Sequence, residues 1–194
     1  MLDIFLITLI GVAAAQAAPG PNLIAVASAS LGRGRRAGLF VTAGVSTGML
    51  VWAVPVSFGL GAVFTAYPVS LLVLKFVGGG YLLWLAMRAL RSAWRGAPST
   101  IRADTAAHSD FAHWRRGLLV ILTNPKAALM WAAVATFLFG AGLGTWHVAL
   151  FGPVGALSGF VIYGTYAMLF STRMAGAVYR RAARGLEALF GVAF

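Results

Sequence analysis

Five stretches of this chain, 4–28, 38–66, 69–90, 117–140 and 146–171, run for more than twenty residues each with almost no charge. A helix that crosses a bilayer needs about 20 apolar residues, so each stretch has the length of one crossing. In water they would lack a polar surface to present: 60% of the residues are hydrophobic and 10% charged, against roughly 45–50% and 25% in a soluble domain. The 194 residues leave room for about six crossings and short loops. The expected fold is therefore all-α, a polytopic transmembrane helical bundle with no extramembrane domain.

The basic residues follow the same division. Arg33, Arg35 and Arg36 follow the first stretch, and Arg88, Arg91, Arg95, Arg102, Arg115 and Arg116 lie around the loop after the third. Arg173, Arg180, Arg181 and Arg184 follow the fifth, while the second and fourth gaps hold none. A net charge of +11 would suggest nucleic acid in a polar protein; here the alternation is that of the positive-inside rule. It predicts a multi-pass membrane protein with its N-terminus outside and its first, third and fifth loops in the cytoplasm, with the lipid bilayer and no nucleic acid as partner. Tyr67 and Trp146 on outer loops and Trp94 and Trp114 on the long inner one suit interfacial anchors. The first stretch carries Asp3 and no basic residue before it, unlike a signal peptide, and reads as a retained span.

After the fifth span the pattern weakens. Residues 185–194 supply only about ten apolar positions of the 20 that a crossing needs. Either a sixth span is short or incomplete, or 174–189 lies in the interface as a basic amphipathic helix. The loop from Arg91 to Arg116 is polar and reads as a tether. Its His108 and His113 have no metal-ligand spacing and read as solvated histidines.

Helix breakers inside the spans mark the expected functional centre. Ala18-Pro19-Gly20-Pro21-Asn22 interrupts the first span, and Thr123-Asn124-Pro125-Lys126 the fourth. Each proline removes a backbone donor, and the carbonyls so freed need a partner within the membrane. The breaks fall in the first span of each set of three, which predicts two inverted three-helix repeats, 1–95 and 117–194, joined by a cytoplasmic linker at 96–116. Carriers place their sites where such broken helices meet. Gly44/Gly48 and Gly155/Gly159 echo the repeat and suit close helix packing, within one chain or in a homodimer.

Two lysines remain inside spans. Lys75 opens the third, where snorkelling and function are equally good readings. Lys126 lies about ten residues, or about 15 Å, into the fourth, and so requires a carbonyl, a water, Asn22, Asn124 or a substrate carboxylate as partner. No Asp or Glu lies within the spans, and the chain has no cysteine. Neither an intramembrane enzyme nor a cofactor or metal is expected.

At these residues the sequence resembles the LysE/RhtB family of amino-acid exporters. The likeness runs through Pro19-Gly20-Pro21-Asn22, the segment from Gly32 to Gly38, Gly44 and Gly48, the segment from Leu74 to Leu82, Arg116-Gly117 and Asn124-Pro125-Lys126-Ala127. It departs at 130–135, where the family tends to be Phe-rich, and at the short C-terminus. The resemblance implies a secondary carrier of the bacterial cytoplasmic (inner) membrane, of the homoserine, threonine, lysine or leucine efflux type, driven by proton exchange. It places substrate binding at Pro19, Gly20, Pro21, Asn22, Lys75, Asn124, Pro125 and Lys126. A glycine-lined channel for small zwitterions or anions is the alternative, and a non-transporting scaffold a third reading.

Overall fold

Prolines and one glycine decide where the helices begin, end and turn. The computed structural model describes residues 2–60 and 109–172, with single positions between 63 and 104. Helix α1 covers Leu2–Ala17 and α2 covers Pro21–Val54, followed by a π-helical turn over Pro55–Leu60. Pro19 and Pro21 cannot continue the hydrogen-bond ladder of α1, whereas the fixed φ of Pro21 suits the first position of a new helix. The first span is thus broken where its prolines fall.

A straight helix of 34 residues would be about 51 Å long, well beyond the roughly 30 Å of a bilayer core. Instead α2 folds back on itself at Gly34, which adopts φ 81° and ψ −179°. A Cβ on Gly38 would collide with the Ser30 hydroxyl, eight residues earlier and about 12 Å away along an unbroken helix. The arms 21–33 and 35–54 are therefore two helical segments lying against each other rather than one straight rod.

Helix α3, Asp110–Leu122, is capped by Ser109, whose side chain accepts the Ala112 N–H at 3.2 Å. Asp110 in its first turn complements the helix dipole. Helix α4, Pro125–Gly140, follows after a 59° bend, so the fourth span is also broken at its Asn-Pro pair. Helix α5, Thr145–Phe170, runs unbroken through Pro153. By length and composition Thr145–Phe170 can cross a membrane, as can α3 with α4 together as one bent span, whereas Pro21–Gly59 passes the same test only if the fold-back at Gly34 is ignored. The described elements are all helical. Most of the third span, Lys75, His108 and the tail 174–194 lie outside the described residues.

Helix α2 packs chiefly on α3 and α5. At the α2–α3 seam the backbones approach closely: Gly44 faces the Trp114 carbonyl, Gly48 the Ile121 side chain, and Gly117 the Val41 carbonyl. Gly44 and Gly48 thus act as their spacing suggested. Gly155 and Gly159 behave differently, since a Cβ on Gly155 would meet only the Phe151 ring of its own helix. One on Gly159 would meet Met49 and Gln16. Edge-on contacts of Phe151 with Phe5 and Trp131, at 5.1 and 6.4 Å, fill the core between α1, α4 and α5.

One expectation is corrected. His113 is not solvated but 3% exposed, because the Ser109 cap starts α3 early and puts His113, Gly117 and Ile121 on one buried face. Trp114 also turns inward, donating from Nε1 to Thr47 at 3.2 Å. The inner loop is fastened to α2 as well. Asp104 donates its N–H to the Ser28 carbonyl at 3.0 Å and pairs with Arg116, and the bare Gly32 leaves room for its backbone.

Candidate functional site

The break between α1 and α2 leaves the carbonyls of Ala17, Ala18 and Pro19 without the backbone donors of a continuing helix, Pro21 having no N–H to offer Ala17. Side chains from elsewhere in the chain supply what is missing. Lys126 Nζ donates to the Ala18 and Pro19 carbonyls, each at 3.3 Å. The Tyr166 hydroxyl donates to the Ala17 carbonyl at 2.9 Å. Gly20 is bare where Lys126 passes, its absent Cβ lying 3.6 Å from Nζ.

The second break is tied to the first. Asn124 is the N-cap of α4, its Oδ1 accepting the Lys126 N–H at 3.0 Å. Because a backbone N–H can only donate, that bond fixes the orientation of the amide. Asn124 Nδ2 then donates to Asn22 Oδ1 at 3.1 Å, and Asn22 Nδ2 donates to the Tyr163 hydroxyl at 3.4 Å. Both asparagines are buried, and they are the only two in the chain.

Lys126 is an unfavourable residue for its own helix. It sits in the first turn of α4, where the dipole favours anions. Its ammonium instead reaches the carbonyl end of α1, where a cation is favoured. A cavity of about 20 Å³, room for roughly one water, opens beside it and is lined in part by Gln16, Asn22, Asn124, Lys126 and Tyr163. In this state the cavity is too small for an amino acid.

Of the residues singled out from the sequence, Pro19, Gly20, Asn22, Asn124 and Lys126 are brought together, with Pro21 and Pro125 opening the two helices. Lys75 lies outside the described residues. In the segment that departs from the family pattern, Met130 lines the cavity and Trp131 packs into the core. Sequence reasoning missed Gln16, Tyr163, Tyr166 and Ser158. Gln16 carried a usable signal, being the only glutamine in the chain and set in an apolar helix.

Membrane-length helices broken at a shared polar centre define the class, a helical membrane protein. A family model for LysE type translocators matches residues 13–194, and the chain belongs to that family, whose members are transporters and not enzymes. It is 31% identical over 179 residues to the uncharacterized membrane protein YahN of Escherichia coli (strain K12), covering 90% of this chain and 79% of that one. With the threonine efflux protein of the same organism it shares 28% identity over 199 residues, or 100% and 95% of the two chains. The homoserine/homoserine lactone efflux protein of Salmonella typhi is 32% identical over 116 residues, covering 60% and 55%. No solved structure matches.

Proposed function

We propose that the chain is a secondary carrier that exports an amino acid or a close derivative across the bacterial inner membrane. The observation that carries this reading is the seat of the Lys126 ammonium on the Ala18 and Pro19 carbonyls, beside the Asn22–Asn124 bond. A zwitterion carries both charges that this arrangement complements. Its carboxylate fits Lys126 and the N-terminal end of α4, and its ammonium fits the carbonyls at the end of α1. Lys126 thus holds, in the closed state, the carbonyl seat that the substrate's ammonium takes when Lys126 turns to the carboxylate.

Two inverted repeats, 1–95 and 117–194, would bring their broken first spans together in this way, with the N-terminus outside and 96–116 inside. A cavity that holds about one water supports an alternating carrier over an open pore. Proton exchange is the coupling suggested by family resemblance, and a glycine face leaves a homodimer open.

Counterflow in proteoliposomes tests the reading. Trapped unlabelled substrate should accelerate uptake of labelled amino acid in the wild type, and Lys126→Ala and Asn22→Ala should reduce that uptake at least ~10-fold, the loss expected when a charge-assisted hydrogen bond is removed. Unchanged transport in both variants would remove the site assignment, and uptake that ignores trapped substrate would favour the pore. An imposed pH gradient, acid outside, should stimulate export if protons are exchanged.

A further inference from the structure

Gln16 has no part in the carrier mechanism described above, yet it is one of the most constrained polar side chains in the protein. It stands in the last turn of α1, is 1% exposed, and lines the same cavity as Lys126 and the asparagines. Its Nε2 donates to the Gly155 carbonyl at 3.0 Å, and its Oε1 accepts from the Ser158 hydroxyl at 2.6 Å. A carbonyl can only accept, so the amide orientation is fixed.

An amide nitrogen has two N–H groups. The second is matched only by the Met49 thioether, at 3.5 Å. Sulfur of this kind is a weak acceptor, and methionine is an unbranched, flexible side chain that adapts its packing. Met49 lines the cavity too. Gly159 makes the arrangement feasible, since a Cβ there would lie 2.8 Å from Met49 Sδ and 3.4 Å from Gln16 Nε2. A buried donor is thus held on a poor partner, a flexible side chain at the wall of the cavity.

We infer that Gln16 determines specificity by reading the substrate's side chain, and that it favours neutral amino acids whose side chain carries a hydrogen-bond-accepting oxygen. This rests on the carrier reading above. With the α-ammonium at the carbonyls of Ala18 and Pro19, the side chain lies toward the preceding turn of α1, where Gln16 replaces its thioether contact with an oxygen. Cationic side chains are disfavoured, because no described residue lining the cavity is acidic while Lys126 is itself a cation there.

Threonine and valine are matched probes, alike in shape and different by one hydroxyl; asparagine and leucine are a second such pair. In counterflow with the full-length protein, the wild type should prefer threonine to valine by at least ~10-fold in kcat/KM, since a site built to bond an oxygen rejects the analogue lacking it. Lysine should compete more weakly than threonine. Gln16→Met, close in shape, should bring the threonine-to-valine ratio to about one by lowering threonine transport alone. A purely structural tie between α1 and α5 would instead lower both substrates together and keep the ratio, which overturns the inference. Ser158→Ala is the milder variant and carries the test if Gln16→Met does not fold; it should narrow the ratio, and an unchanged ratio counts against the inference. Equal transport of threonine and valine by the wild type, or preference for lysine, overturns the inference and leaves the carrier reading standing. Absence of counterflow with every amino acid removes the carrier reading and this inference with it.

Discussion

Asn124 does two things at once, and a one-atom change separates them. Its Oδ1 caps α4 while its Nδ2 holds Asn22. Aspartate keeps the capping oxygen but has no donor, and it puts a carboxylate beside the Lys126 ammonium. Asn124→Asp should therefore retain the thermal stability of the wild type to within about 1 kcal/mol, since aspartate caps as well as asparagine, while losing counterflow. Asn124→Ala loses both roles and should also be less stable, by about 0.5–2 kcal/mol for the cap alone. Differential scanning fluorimetry in detergent, run beside the transport assay, separates the two variants. At this scale much was readable in the sequence: an asparagine beside a proline within an apolar stretch is costly unless it is used, and the need of Lys126 for a polar partner followed from its position, a carbonyl being one of several candidates. The partners were another matter. Tyr163 and Tyr166 meet residues 141 and 149 positions away, and no local pattern carries information over that distance.

Gly34 and the α2–α3 seam show glycine acting on whole helices by different means. At Gly34 the backbone lies in a region reserved for glycine, so Gly34→Ala should cost about 1–3 kcal/mol through strain alone, there being open space around it. At Gly117 the conformation is ordinary, and the limit is the Val41 carbonyl of the opposing helix. Gly117→Val should push α3 away from α2 and lower the unfolding temperature more than the same change at Gly11, whose absent side chain would meet nothing. Prolines and glycines act on their immediate neighbours, which is why both breaks and the limits of α5 were anticipated from sequence alone. The start of α3 was not: the polar run before it reads as a linker until the Ser109 cap sets the phase of the helix, and that phase buries His113. The role of Gly159 was hidden for a related reason, since a small-residue spacing does not say whether a backbone or a side chain fills the gap.

Among the described residues, the ion pairs and the polar centre occupy separate places. Arg36 and Asp110 form an exposed pair at 2.6 Å, and Asp104 pairs with Arg116, so two of the four acids in the chain fasten the inner loop to its own helices. Exposed pairs of this kind are screened by salt. Asp110→Asn should accordingly leave counterflow within about twofold of wild type, as expected for a pair of little energetic weight, whereas Lys126→Ala should lower it at least ~10-fold; a large loss in Asp110→Asn would mean that the inner loop takes part in the transport cycle. The separation was legible from the alternating arginines, while the small size of the cavity, a property of packing among distant helices, was not. The link between the two breaks also bears on how the protein is made. Asn22 leaves the ribosome 102 residues before the asparagine that will hold it, and the Ala18 carbonyl 108 residues before its lysine. At roughly 5–20 residues per second, the first broken helix waits about 5–20 s with polar groups that lipid cannot satisfy. Water or the insertion machinery has to shelter it for that time, so biogenesis of the first half depends on prompt synthesis of the second.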